Sequence, residues 1–128
     1  MRKSLIIFSR TLLGVYFLSA GISKFLFWDT HIVLMETHNM KMVSASLLIS
    51  GSAQIIGSIC LLLNKQVVIC SLGFAVMVLL INFNLHDFWN TYEGIDTSHE
   101  TQNFIKNLGV MIAFLLLAAL NIREINEP

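Results

Sequence analysis

Most of the chain consists of long apolar segments that are separated by short polar stretches. The two central segments, residues 42–63 and 66–85, carry no charged side chain, and each is long enough for a helix to cross a hydrocarbon layer, which takes about 20 residues. Helices are expected rather than strands, because an open sheet leaves backbone groups unsatisfied in lipid. Only Asn64 and Lys65 lie between the two segments, so the segments are predicted to form an antiparallel helical hairpin.

The flanking apolar segments contain a few basic side chains. Arg10 and Lys24 lie near the ends of the first segment and Lys106 lies near the start of the last. Long basic side chains at such positions can extend to the membrane interface. The pattern therefore predicts four membrane-crossing helices, at about residues 5–28, 42–63, 66–86 and 104–122. Together they predict one all-α domain over residues 1–128, an integral membrane antiparallel four-helix bundle with loops at 29–41 and 87–103.

The composition indicates a bilayer as the solvent, since 55% of the residues are hydrophobic and 12% are charged. The formal net charge of +0 provides no field that would attract nucleic acid. Cys60 and Cys70 show no CxxC spacing, which argues against a zinc or c-type haem site, and both are predicted to be small packing residues. The first apolar segment continues beyond Ala20 to Trp28, which favours a retained helix over a cleaved signal peptide.

The basic residues outside the predicted helices are distributed unevenly between the two sides of the bundle. One side carries Arg2, Lys3, Lys65 and Arg123, whereas the other carries Lys41. Because loops rich in Lys and Arg tend to stay in the cytoplasm, we expect a multi-pass protein of the plasma (inner) membrane with both termini in the cytoplasm. The predicted loops 29–41 and 87–103 then face outward.

Polar side chains from three predicted helices reach similar depths near the outward side. Lys24 lies near the end of the first helix, Asn82 and His86 lie one turn apart in the third, and Asn107 lies near the start of the fourth. These residues are predicted to line an outer polar pocket, although interfacial anchoring accounts for the same pattern. Among them His86 is the candidate catalytic residue, because a histidine ordinarily titrates close to neutral pH.

Gln54 lies near the middle of the second predicted helix. An unpaired amide at that depth is costly in hydrocarbon, so its side chain is predicted to find a partner inside the bundle. That partner is either another helix, through a structural hydrogen bond, or a bound ligand.

The histidines of the predicted loops are expected to be ordinary solvated residues. His31, His38 and His99 lie there together with several Asp and Glu residues. Side chains of these types can bind a metal or respond to pH. The loops contain no HExxH motif, however, and no metal site is predicted.

Several short motifs resemble the DoxX/DoxD-like family of small four-helix membrane proteins. Residues 9–14, SRTLLG, followed by Phe17, Gly21 and Lys24, resemble the opening signature of that family. Residues 51–57 resemble its glycine–glutamine stretch, residues 82–88 its histidine-bearing helix end, and residues 103–108 the segment that opens its fourth helix. On these motifs the family pattern carries over to Arg10, Gly14, Gly21, Lys24, Gln54, Gly57, His86 and Asn107.

The resemblance implies a redox context. The family includes the small subunits of thiosulfate:quinone oxidoreductase, and other members are described as membrane partners in redox-stress defence or metallophore biosynthesis. A quinone or similar small molecule is then the expected ligand, and flavin or haem would have to come from a partner. The candidate binding residues are Arg10, Lys24, Gln54, Asn82 and Asn107.

Two classes of function are therefore predicted. The first is a membrane subunit of a redox system, such as a quinone-linked oxidoreductase of the thiosulfate:quinone type, that exchanges reducing equivalents with a partner subunit. The alternative is a non-catalytic membrane scaffold, a partner-binding protein or a small-solute carrier. In both cases the chain contacts the lipid bilayer, and a bundle of this size is compatible with a homo-oligomer.

Overall fold

A computed structural model describes residues 1–126 of the chain, without the side chain of residue 124. It contains five helices, which are α1 (Arg2–Leu26), α2 (Trp28–Thr37), α3 (Val43–Leu62), α4 (Val67–Leu85) and α5 (Thr97–Asn126). Four of them are long and apolar enough to cross a membrane, namely Arg2–Leu26, Val43–Leu62, Val67–Leu85 and Thr97–Arg123. No strand occurs within the described residues. The prediction of an all-α bundle is confirmed, with four long apolar helices that are candidate membrane spans.

Two parts of the predicted loops are helical in the structure. Helix α2 occupies most of the predicted loop 29–41, after a break at Phe27, whose backbone has φ −114° and ψ 46°. Helix α5 begins at Thr97, because the Asp96 carboxylate accepts a hydrogen bond of 2.9 Å from the Ser98 N–H and so caps its first turn. Neither segment is an apolar run long enough to span a bilayer, which is the pattern on which the prediction relied.

The long helices pack in the order α1, α3, α4 and α5 around the bundle, and each runs antiparallel to its neighbours. Helices α1 and α3 approach closely at glycines: a Cβ atom added to Gly21 would lie 3.2 Å from the backbone oxygen of Gly51. Three rings fill the centre of the bundle, where the centroid of Phe17 lies 4.6 Å from that of Phe74 and 4.7 Å from that of Phe114. The tight approach in an apolar bundle agrees with the general enrichment of small residues at membrane helix interfaces.

The two ends of the bundle differ in character. We call the end with the α3–α4 turn the hairpin end; there Asn64 and Gln66 adopt left-handed backbone conformations, with φ 57° and 51°. We call the opposite end, where α2 and residues 86–96 lie, the histidine end. Cys60 and Cys70 face each other near the hairpin end as half-buried free thiols. Large apolar side chains such as Ile49 are exposed on the outer surface, which suits contact with lipid.

Candidate functional site

Titratable side chains from three elements converge at the histidine end. His38 follows the last residue of α2, His86 and Asp87 follow α4, and Glu100 lies in the first turn of α5. Together with Tyr92 from the α4–α5 connection, we call these residues the histidine–carboxylate cluster. Helix α2 folds back over the bundle and so places His38 against residues far away in the sequence.

Glu100 is the residue that links the two histidines. Its Oε2 lies 3.0 Å from Nδ1 of His86, which is a hydrogen-bond distance. The same oxygen lies 3.7 Å from Nε2 of His38. Nε2 of His38 also lies 3.9 Å from Oδ1 of Asp87, so one imidazole edge faces two carboxylates.

The second oxygen of the Asp87 carboxylate is held by two donors. It accepts a hydrogen bond of 2.9 Å from the Asn90 amide and another from the Tyr92 hydroxyl. The hydrogen bond to Asp87 raises the pKa of the Tyr92 phenol, because it stabilises the protonated hydroxyl, and burial adds to the same direction. The Tyr92 ring also packs on the His38 ring, with a distance of 4.7 Å between centroids. Asp87 is thereby held in position facing His38.

Hydrogen bonding determines which nitrogen of His38 carries a proton. Nδ1 lies 2.8 Å from the backbone oxygen of Leu34, and a carbonyl oxygen only accepts, so Nδ1 is the donor. Nε2 is buried and makes no hydrogen bond to any described residue, and the same holds for Oδ1 of Asp87. A neutral His38 would therefore direct a lone pair at carboxylate oxygens. A proton on Nε2 or on a facing carboxyl group would remove that repulsion.

Burial sets this cluster apart from the other polar residues of the connections. His38 is 5% exposed, Asp87 6% and Glu100 8%. The expectation that His38 is a solvated loop residue is therefore wrong, because α2 covers this end of the bundle. His31 is half-buried and His99 is exposed. No sequence motif joins positions 38, 87 and 100. The one local signal that could have been used is Asp96, a residue type that caps helices, just before the helix that carries Glu100.

Asn82 and Asn107 are brought together, as the predicted pocket requires. The Asn107 amide donates to the Asn82 side-chain oxygen at 3.0 Å, and the Asn82 amide donates to the backbone oxygen of Phe104 at 3.0 Å. Asn82 is 0% exposed. These bonds join α4 to α5 next to the cluster, and they engage both ends of the Asn82 side chain and the amide nitrogen of Asn107.

Lys24 lies at the same end but on the other side of the bundle. Its Cβ atom packs near Gly51 of α3, at 3.4 Å from the position that a Cβ atom of that glycine would take. The half-buried Lys24 ammonium makes no hydrogen bond or ion pair with the part of the chain that the structure describes. His86 is paired with Glu100 and not with Lys24.

Gln54 lies deep in the bundle and is 2% exposed. Its Oε1 has no hydrogen-bond partner among residues 1–126, and neither do the buried hydroxyls of Ser58 and Ser71. No interhelical hydrogen bond forms at this oxygen within the described residues. The residue lies at the close α1–α3 contact, where a Cβ atom added to Gly21 would lie 3.0 Å from Cβ of Gln54.

Arg10 lies at the hairpin end. Its guanidinium donates to the side-chain oxygen of Asn64 in the α3–α4 turn. Most of the length of α1 separates it from Lys24 and from the cluster, so Arg10 does not share a pocket with His86. Within the described residues, no three His, Cys, Asp or Glu side chains are arranged to hold a metal ion.

Four candidate membrane spans and a capped polar end define a small helical membrane protein. The chain belongs to the DoxX family, whose sequence model matches residues 5–87. The match covers α1 to α4 with His86 and Asp87, and it ends before Glu100 and Asn107 of α5. No curated protein and no solved structure matches the chain significantly.

Proposed function

We propose that this DoxX-family chain is a membrane subunit of a redox system, in which the histidine–carboxylate cluster exchanges the protons that accompany reduction and oxidation of a quinone. Each two-electron reduction of a quinone to a quinol takes up two protons. The electrons would come from a partner subunit, and the present chain would supply the membrane site and the proton exchange. The redox setting rests on the family resemblance.

The observation that carries the proposal is a closely spaced series of titratable groups with accessible ends. His86 is half-buried, and its Nε2 makes no hydrogen bond within residues 1–126. From His86 the series continues through Glu100, at 3.0 Å, to His38, at 3.7 Å from Glu100. It ends at Asp87 and the half-buried Tyr92. Histidine and carboxylate side chains are groups that proton transfer uses. His86 and Glu100 are hydrogen-bonded, whereas the distances of 3.7 and 3.9 Å at His38 exceed hydrogen-bond length, so a proton would cross them through a small side-chain movement.

The residues at the histidine end suit a quinone in part. A quinone head group needs a few hydrogen-bond donors next to apolar surface. Nε2 of His86 and the Lys24 ammonium are polar groups without an internal partner, whereas Asn82 and Asn107 are occupied by each other. We therefore assign His86 to proton exchange and to contact with the head group, and Asn82 and Asn107 to holding α4 against α5.

Tryptophan fluorescence provides a test, because both tryptophans, Trp28 and Trp89, lie at the histidine end. A decyl-substituted benzoquinone, titrated into the purified full chain in neutral detergent, should quench this fluorescence with saturation. His86→Gln should lose the hydrogen bond between Nε2 of His86 and the quinone head group. The loss of about 1.4 kcal/mol corresponds to roughly tenfold weaker binding of the quinone. His31→Gln is the matched control, since His31 lies on α2 outside the cluster, and it should bind as the original chain does.

Two results would count against this function. Non-saturable quenching that is identical in His86→Gln, Glu100→Gln and His31→Gln would show collision in the micelle rather than a site. Binding with a rate of proton uptake on reduction that is the same in the original chain and in Glu100→Gln would favour the alternative, a non-catalytic scaffold or solute carrier. Glu100→Gln should retain binding while slowing proton uptake, because Glu100 acts behind His86.

We also propose that the histidine end faces outward and the hairpin end faces the cytoplasm. The described basic residues at the hairpin end are Arg2, Lys3, Arg10, Lys65 and Arg123, and basic residues favour the cytoplasmic side. In a Cys60→Ser, Cys70→Ser background, Ser98→Cys should react with a membrane-impermeant thiol reagent on intact cells, while Gln66→Cys should not. The reverse pattern would overturn the orientation.

A further inference from the structure

The hairpin end contains an open groove of about 600 Å³ between the start of α1, the α3–α4 turn and the end of α5. Three cationic side chains line it, those of Arg2, Lys3 and Arg10. No acidic residue lines the groove within the part of the chain that the structure describes. Side chains of a single charge sign in a concave site create a field that attracts an ion of the opposite charge.

Uncharged donors add to this field. Asn64 lies in the groove and accepts from Arg10, which holds the guanidinium at the groove wall. Nε of Arg10 is buried and has no hydrogen-bond partner among the described residues, so one of its donors remains unused. Gln66 and Val67, at the start of α4, also line the groove, and no side chain caps that helix. Uncapped first-turn N–H groups supplement an anion site that cations have already defined.

The groove also has an apolar side, which narrows the class of anion. Ile6, Ile7, Val67, Val68 and Ile125 line it beside the cations. Ile6 and Val67 are buried and belong to the core cluster of the bundle. A small hydrophilic anion would leave this apolar surface wet. An anionic amphiphile would place its charged group on the cations and its hydrocarbon along the isoleucine and valine side chains.

We infer that the hairpin-end groove binds an acidic phospholipid, with the head-group phosphate between Arg2, Lys3 and Arg10 and an acyl chain along the apolar wall. Basic pockets between membrane helices recognise acidic head groups in this way. The groove lies at the ends of membrane-spanning helices, at the level where lipid head groups are found. This inference does not depend on the proposed redox function, because the groove lies at the opposite end of the bundle.

The test uses the purified full chain in neutral detergent, with phosphatidylglycerol as probe and phosphatidylcholine as the zwitterionic comparison. Native mass spectrometry should detect one tightly bound phosphatidylglycerol and no comparable phosphatidylcholine. Each cation near a membrane surface contributes about 1 kcal/mol, so Lys3→Gln and Arg10→Gln should each weaken binding by roughly fivefold. Lys65→Gln is the matched control, because Lys65 is exposed in the same turn region but does not line the groove.

Three results would overturn the inference that the groove binds an acidic phospholipid. Equal weakening by Lys65→Gln would show diffuse surface attraction instead of a site. Competition by inorganic phosphate at concentrations similar to those of the lipid would identify a soluble anion as the ligand. Lys3 lies in the exposed first turn of α1, and Lys3→Gln leaves the hydrogen bond between Arg10 and Asn64 intact. This variant should therefore fold even if Arg10→Gln does not, and unchanged phosphatidylglycerol binding in Lys3→Gln would refute the site.

Discussion

Replacement of His38 by alanine, compared with the same replacement of His31, isolates the energy of the histidine–carboxylate cluster. His31 lies in α2, and His38 directly follows its last residue. In each histidine Nδ1 lies 2.8 Å from the backbone oxygen of the residue four positions earlier. His31 is half-buried, whereas the side chain of His38 is 0% exposed and faces Glu100 and Asp87. The two variants therefore lose the same local hydrogen bond, and only one of them loses the cluster.

The structure sets the expected difference between the two variants. The shared hydrogen bond contributes about 0.5–1.5 kcal/mol to each. His38→Ala also loses the ring contact with Tyr92, about 0.5–1.5 kcal/mol. Removal of the imidazole also leaves the buried Asp87 and Glu100 carboxylates without the polar group that faces them at 3.9 and 3.7 Å, and a buried polar group left without a partner costs about 1–3 kcal/mol. We expect His38→Ala to lower the free energy of unfolding by about 3 kcal/mol more than His31→Ala does.

Unfolding in mixed detergent micelles, followed by tryptophan fluorescence, measures these differences. A double-mutant cycle with Glu100→Gln separates the pairwise interaction from other losses, and residues in contact typically couple by about 0.5–3 kcal/mol. Coupling should appear between His38→Ala and Glu100→Gln and be absent between His31→Ala and Glu100→Gln. Equal destabilisation by the two histidine variants, or zero coupling for the His38 pair, would refute the buried cluster.

Two further predictions concern packing and pH. A Cβ atom at Gly57 would lie 2.5 Å from Cζ of Phe74, so Gly57→Ala should lower the free energy of unfolding by about 1–3 kcal/mol. Gly73→Ala is the control, because a Cβ atom there would meet no atom within 4 Å. In thermal melts Gly73→Ala should be neutral or stabilising. The hydrogen bond from Tyr92 to Asp87 raises the pKa of the phenol and stabilises the fold while the hydroxyl keeps its proton. This contribution to the free energy of unfolding is fully present below the ordinary phenol pKa of about 10, and it is lost as the pH rises through the raised pKa. Phenolate absorbance, taken as the difference from Tyr92→Phe, should titrate at lower pH in Asp87→Asn, and an unchanged titration would contradict the bond.

Local features of the chain were sufficient to predict the membrane-spanning helices. A crossing depends on the length and apolarity of one continuous segment, so residues 42–63 and 66–85 identify α3 and α4 without reference to the rest of the fold. Gly14, Phe17 and Gly21 recur at steps of three and four, which places them on one face of α1, and all three are buried. The same reasoning did not reveal α2, because a helix too short to span the membrane carries no such signal.

The candidate site was predictable only in part, because polar groups in a bundle acquire their roles from partners on other helices. Periodicity placed Asn82 and Asn107 at one depth, and they do form a bond. Gln54 was predicted to find a partner on another helix or on a bound ligand, and its Oε1 makes no hydrogen bond with the described residues. Arg10 and Lys24 were both candidate binding residues, but they lie towards opposite ends of the bundle, and Arg10 contacts Asn64 at the hairpin end.

The sequence by itself therefore indicated that a lipid bilayer surrounds the protein, that four segments are long enough to cross it, and that the chain belongs to the DoxX family. Each of these follows from apolar length or from motifs within single segments. Only the tertiary structure decided that His38, Asp87 and Glu100 form one buried cluster with His86. The reason is physical: a histidine and a carboxylate in predicted loops are expected to be solvated, and these residues become buried only because the fold packs His38 against Asp87 and Glu100.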